Sequence, residues 1–227
     1  MIGWLSAGLL FIFGALFLRA AHRRRGTDWG HPVLNFLDGV NRLFCERFHR
    51  FDYPGIPLPV SGGAVLVSNH VSGLDPLLLA AASPRPLRFI IAREQFLRPG
   101  LHWLFKAVGC IPVDRDGRPE RALREALKKL ADGEVVALFP HGKIHLDSDP
   151  PRPIKRGAVR LACRNGASLY PVRLTGVRGE GQVVAAVWRR SQARLSVGPV
   201  IGCAGRQEDE VAAVLQRFLD GSIENGT

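Results

Sequence analysis

From Ala64 onward, short apolar runs alternate with segments of helical period, and this alternation leaves few architectures open. The runs AVLVSN (64–69), LRFII (87–91), CIPV (110–113), EVVALFP (134–140), SLYPVRLTG (168–176), QVVAAVW (182–188) and ARLSVGPV (193–200) read as strands. Helical segments lie between and after them: one opened by Asp75 as N-cap with Pro76 in its first turn, then LHWLFKAV (101–108), RPERALREALKKLADG (118–133), KRGAVRLACRNG (155–166) and EDEVAAVLQRFLDG (208–221). In the clearest of these, Leu123, Leu127 and Leu130 share one face and Gly133 ends the helix. The early strands are apolar on both sides, and helices long enough to cross over separate them. That predicts an α/β fold with a mainly parallel mixed sheet flanked by helices.

Ahead of this region the sequence changes character. IGWLSAGLLFIFGALFL (2–18) carries no charge, and Arg19 and the basic run HRRR (22–25) follow it. As a helix it would be about 25 Å long, at the short end of what crosses a bilayer. The charges come after the apolar stretch, unlike those of a cleaved signal, so a retained membrane-associated helix is expected, with the rest of the chain on the cytoplasmic side. Leu34, Leu37, Val40, Leu43, Phe44 and Phe48 then fall at helical spacing among Arg42, Arg47, His49 and Arg50, a basic amphipathic helix suited to a membrane interface. The expected organisation is an anchor helix plus amphipathic helix (1–53), a Pro/Gly-rich linker (54–63) and an α/β domain (64–227).

A net charge of +11 favours an anionic partner, and the apolar N-terminus makes that partner an acidic bilayer surface. Nucleic acid is not expected, because aromatic residues are only 8% and neither a basic recognition helix nor a stacking platform is visible. Cys45, Cys110, Cys163 and Cys203 are widely spaced without a Cys-x-x-Cys pair, so reduced thiols are expected.

In VLVSNHVSGLDPLLLA (65–80) a strand ends in Ser-Asn-His, and Asp75 follows five residues after His70. Ligands of such sheets bind outside the carboxyl ends of the strands. On a continuous helix, positions five apart point about 140° away from each other. Gly73 permits a tight turn that brings Asp75 to the imidazole, fixing its tautomer and leaving the other ring nitrogen free to accept a proton. On these residues alone, a helix-capping aspartate beside a strand-end histidine is an equally open reading.

Three further segments occur in order: GCIPVDR (109–115), LFPHGKIH (138–145) and YPVRL (170–174), with IKRGAVRLA (154–162) between the last two. With Asn-His-x4-Asp they resemble the signature blocks of the glycerolipid acyltransferase family, best known from lysophosphatidic acid (1-acylglycerol-3-phosphate) acyltransferases. The likeness runs from about Ala64 to Thr175. It implies that His70 is the general base for an acceptor hydroxyl and that Asp75 orients it. Asn69 and Ser72 would steady the turn. Arg115, Lys143, Lys155 and Arg156 would bind phosphate of the acceptor or of coenzyme A, with help from the backbone at Gly142. The implied partners are membrane lipids, a lysolipid acceptor and acyl-CoA or acyl carrier protein as co-substrate, with no cofactor and no metal.

The third block departs from the family. His141 stands where Glu is usual, and Lys143, Ile144 and His145 replace the usual Thr/Ser, Arg and Ser. The acceptor head group is therefore less defined than the reaction. His141 and His145, spaced i,i+4 with Asp147 and Asp149 nearby, also suggest a zinc pair. Pro140, Gly142, Pro150 and Pro151 make the segment a loop, so the two histidines are read as substrate-binding or solvent-facing.

Overall fold

The computed structural model describes residues 14–114, 117 and 119–222. Most of the apolar run at 2–18 lies outside the described residues, as does Arg115. The described residues form one sheet of six strands, ordered β3-β2-β4-β1-β5-β6. These are β1 (Ala64–Ser68), β2 (Leu87–Ala92), β3 (Ile111–Val113), β4 (Val135–Leu138), β5 (Ser168–Thr175) and β6 (Arg194–Val197). All pairings are parallel except β5 with β6. The α/β class and the mainly parallel mixed sheet expected from the alternation are what the chain forms.

The helices are α1 (residues 14–23), α2 (Pro32–Arg47), α3 (Asp75–Ala82), α4 (Arg93–Phe96), α5 (His102–Ala107), α6 (Glu120–Ala131), α7 (Gly157–Asn165), α8 (Ala185–Trp188) and α9 (Glu208–Leu219). Strand periodicity sorts the core into two layers. Ala64 and Leu66 of β1 pack into the α2–α3 side, and Val65 and Val67 into the side built by α6, α7 and α9. A fully buried leucine such as Leu66 contributes about 2 kcal/mol relative to exposure. Both faces of β1 are buried, which is why its sequence lacks polar alternation.

α2 begins where His31 Nδ1 accepts the Val33 N–H at 3.2 Å and Pro32 occupies the first turn. It packs on α3 and touches α1 closely, since a Cβ at Gly39 would stand 1.9 Å from the Ala21 carbonyl oxygen. A buried network ties α2 to the sheet domain. Asp38 accepts from the Gly26 and Thr27 N–H groups and from Arg42 Nε at 3.0 Å. Arg42 in turn donates to Thr27 Oγ1 and to the carbonyl of Ser83, just past α3. No helix among the described residues is long and apolar enough to cross a membrane.

Three expectations are corrected. QVVAAVW is not a strand: β6 already occupies the edge of β5, and the segment ends in the short helix α8 instead. The cysteines are not all reduced: Cys163 and Cys203 form a disulfide, because the Leu169–Ile201 bridge carries Cys203 beside α7 with the two Cα atoms 5.2 Å apart. Cys45 and Cys110 are free and buried, and burial pushes both thiols up to about 12. Finally, Leu74 and not Asp75 is the N-cap of α3; Asp75 is its first residue and turns its carboxylate back toward the preceding loop.

Candidate active site

β1 ends at Ser68, and the next two residues do different work. Asn69 is buried and bonded to both backbone groups of Leu174, donating to the carbonyl at 2.9 Å and accepting the N–H at 2.7 Å. This clamps the strand exit to neighbouring β5. His70 then leaves the sheet, and its Nδ1 lies 2.8 Å from Asp75 Oδ2. The glycine turn thus brings the two side chains together. Gly73 is required there by space: a Cβ would stand 2.0 Å from the Val183 carbonyl oxygen.

Asp75 is fully buried and its carboxylate is well supplied with donors. Besides the imidazole, Oδ2 accepts the Val71 and Ser72 N–H groups at 2.7 and 2.9 Å, while Oδ1 accepts Ser72 Oγ at 2.9 Å. These bonds offset the desolvation of the carboxylate and fix its orientation. Ser72 Oγ also accepts the Leu74 N–H at 3.1 Å, so Ser72 steadies both the turn and the acid.

With a carboxylate on Nδ1, that nitrogen carries the proton and Nε2 presents its lone pair. The His70 side chain remains 19% exposed, whereas that of Asp75 is sealed. Phe139 stacks on the imidazole with centroids 4.0 Å apart and planes 14° from parallel. A ring face there limits imidazole motion. Phe139 has no role in the sequence reading. The signal that finds it is topological: β4 neighbours β1, so the residue leaving β4 emerges beside the residue leaving β1.

The other predicted site residues divide. The His145 N–H donates to the His70 carbonyl at 2.8 Å, which brings the third block against the His70–Asp75 turn. Gly142 has φ +73, and the Lys155 ammonium lies over it, 3.1 Å from where a Cβ would stand. The Lys155 N–H also donates to the Pro140 carbonyl at 2.9 Å, so the structure joins Lys155 to this loop. Lys143 is exposed. Arg156 is not turned into the group; it pairs on the surface with Asp209 at 2.8 Å.

His141 is buried rather than solvent-facing, and neither ring nitrogen has a hydrogen-bond partner among the described residues. Its ring lies 4.6 Å from that of His145, and His145 Nδ1 is 3.6 Å from Asp149. Among the described residues, no group of three His, Cys, Asp or Glu side chains is arranged to hold a metal ion. Burial, then the neighbouring His145, lowers the His141 pKa below the ordinary 6.5, and the charge of Asp220 opposes this more weakly. A depressed folded-state value means that the unfolded chain binds more protons just below 6.5. Stability from His141 is therefore present above that pH and is lost as pH falls toward the folded value. Thermal unfolding followed from pH 7.5 down to about 5 should show wild type losing Tm more steeply than His141→Phe. Parallel curves would assign the acid sensitivity elsewhere.

Residues 50–175 match the family model described as Acyltransferase. Over 122 residues the chain is 34% identical to N-acylphosphatidylethanolamine synthase of Arabidopsis thaliana, covering 49% of this chain and 41% of that protein. Over 120 residues it is 28% identical to 1-acyl-sn-glycerol-3-phosphate acyltransferase of Bacillus subtilis, covering 52% and 59%. The chain thus spans about half the length of these curated relatives. The fold is similar to the crystal structure of the 1-acyl-sn-glycerophosphate (LPA) acyltransferase PlsC from Thermotoga maritima. There the TM-score is 0.63 at 19% identity, covering 95% of this chain and 90% of that one.

Proposed function

The chain belongs to the acyltransferase family, and on that premise we propose that it is a membrane-bound O-acyltransferase of phospholipid biosynthesis. It moves a fatty acyl group from acyl-CoA or acyl carrier protein to the hydroxyl of a lysophospholipid, with 1-acylglycerol-3-phosphate as the leading acceptor and phosphatidic acid as product. The observation that carries this reading is the 2.8 Å contact between His70 and Asp75 at the carboxyl ends of the strands, inside the family match.

In this reading His70 Nε2 takes the proton of the acceptor hydroxyl as its oxygen attacks the thioester carbonyl. Asp75 stabilises the imidazolium that results. The tetrahedral intermediate collapses to the ester, the carbon–sulfur bond breaks, and the departing thiolate takes the proton back from the imidazolium. Charges balance without an enzyme nucleophile, a metal or a further cofactor. Lys155 over Gly142, with Lys143 and Arg115, supplies positive charge for phosphate. The apolar run 2–18 and the basic helix α2 hold the domain on the cytoplasmic face of the membrane, and the acyl chain enters between them and the domain.

A different acceptor has specific support. His141 replaces the usual acid of the third block, and one relative is an N-acylphosphatidylethanolamine synthase. The test is thiol release from acyl-CoA in detergent with a panel of lysolipids and with phosphatidylethanolamine. Release that depends on 1-acylglycerol-3-phosphate is expected. Release only with another acceptor moves the assignment to that lipid, and no release with any acceptor or either donor overturns the reaction.

A further inference from the structure

The connection from β5 to β6 carries two features that the catalytic turn does not need. Val183, Val184 and Trp188 are 48%, 51% and 71% exposed, a concentration of large apolar surface on one short segment. Beside them, Arg178, Arg189, Arg190 and Arg194 are all exposed. Two adjoining open cavities of about 330 and 490 Å³ share Arg178; Arg194 lines the first, and Arg189 and Arg190 line the second. Glu180 is the sole acid between residues 176 and 194, and none of the four arginines has an ion-pair partner among the described residues. Asp52 is bridged to Arg194 through the backbone, and beyond it and Glu180 the gathered guanidinium groups favour an anion whose phosphate oxygens match their forks.

The anion source follows from the apolar neighbours. A soluble phosphate has no use for an exposed tryptophan and two valines. A bilayer surface does, because indole rings sit at head-group depth while arginines engage the lipid phosphates. The patch is also continuous with α2. The Trp188 ring meets Phe44 edge-on at 6.4 Å, and the His49 ring is hydrogen-bonded to the Val187 carbonyl at 3.1 Å. The same segment is tied to the catalytic turn by two backbone bonds, Gly181 N–H to the Val71 carbonyl at 2.9 Å and Gly73 N–H to the Gln182 carbonyl at 3.0 Å.

We propose that residues 176–194 form a second docking surface for an anionic phospholipid bilayer, adjoining α2. The arginines bind lipid phosphates, and Trp188 with Val183 and Val184 enters the head-group boundary. This deepens the reading above, in which the acceptor comes from a membrane: contact at this segment sets the rim that carries His70 against the lipid.

The test uses the full chain with Trp188 as its only tryptophan, Trp4, Trp29 and Trp103 being replaced by Phe. It is mixed with phosphatidylcholine vesicles, with or without phosphatidylglycerol, whose acyl chains are brominated. Quenching of Trp188 on the anionic vesicles is expected, weakened by salt. R178Q/R189Q/R190Q should require roughly tenfold more lipid or beyond for half-quenching, since each basic residue near an anionic surface contributes about fivefold. Three results would overturn the proposal. These are a Trp188 left unquenched on vesicles to which the chain sediments, equal quenching of the triple variant, or coenzyme A alone producing the arginine-dependent change, which would make the arginines a soluble-phosphate site. The readout needs no turnover. A chain that docks but releases no thiol sinks only the reaction, and one that turns over in detergent with Trp188 unquenched sinks only the docking surface.

Discussion

Replacing His70 with alanine should lower thiol release from acyl-CoA in the presence of lysolipid by about a thousandfold. The folded chain should survive, because the ring is partly exposed and the turn is held by other bonds. Asp75→Asn should be milder, about a hundredfold. Val71 and Ser72 both donate to Oδ2, so an asparagine keeps its carbonyl oxygen at that position, still facing His70 Nδ1. The tautomer is then preserved and only the charge that stabilises the imidazolium is lost. Rates measured in detergent, with unfolding curves beside them, check both variants. Wild-type turnover by His70→Ala would remove the base assignment, and an Asp75→Asn rate as low as that of His70→Ala would refute the account of the carboxylate.

The second large effect is on stability. Asp38→Ala should cost about 3–5 kcal/mol, because Arg42 would remain buried with its charge uncompensated. For a chain of this size that lowers Tm by roughly 10 °C. The double variant Asp38→Leu/Arg42→Met, which removes both charges and keeps the volume, should recover much of the loss. Thermal unfolding of the three proteins in one detergent decides it. A single variant within about 1 kcal/mol of wild type would mean that the pair is already solvated. The consequence reaches function, because Arg42 bonds the carbonyl of Ser83 behind α3, and α3 begins at Asp75.

Much of this arrangement is legible in the amino-acid order because its causes are local. Burial on both faces makes β1 uniformly apolar, and the leucine spacing of α6 marks its core side, although Ala122, Ala126 and Leu130 are the residues it buries most deeply. His70 and Asp75 are close in sequence and a glycine stands between them, so their contact needs only a turn. QVVAAVW is misread because β-branched residues signal apolar demand without naming what meets it. Its backbone neighbourhood is set by β6 on one side and the His70–Asp75 turn on the other, both remote in sequence.

Taken by itself, then, the order of residues determined the α/β layering, the position of the His70–Asp75 corner and the basic, apolar character of the N-terminus. Only the tertiary structure decided that Phe139 stacks on His70, that His141 is buried, that Arg156 turns away to Asp209 and that Cys163 finds Cys203. The physical reason is range. Periodicity and turns are enforced over a few residues, whereas these contacts join segments brought together by parallel strands, whose partners no local rule can name.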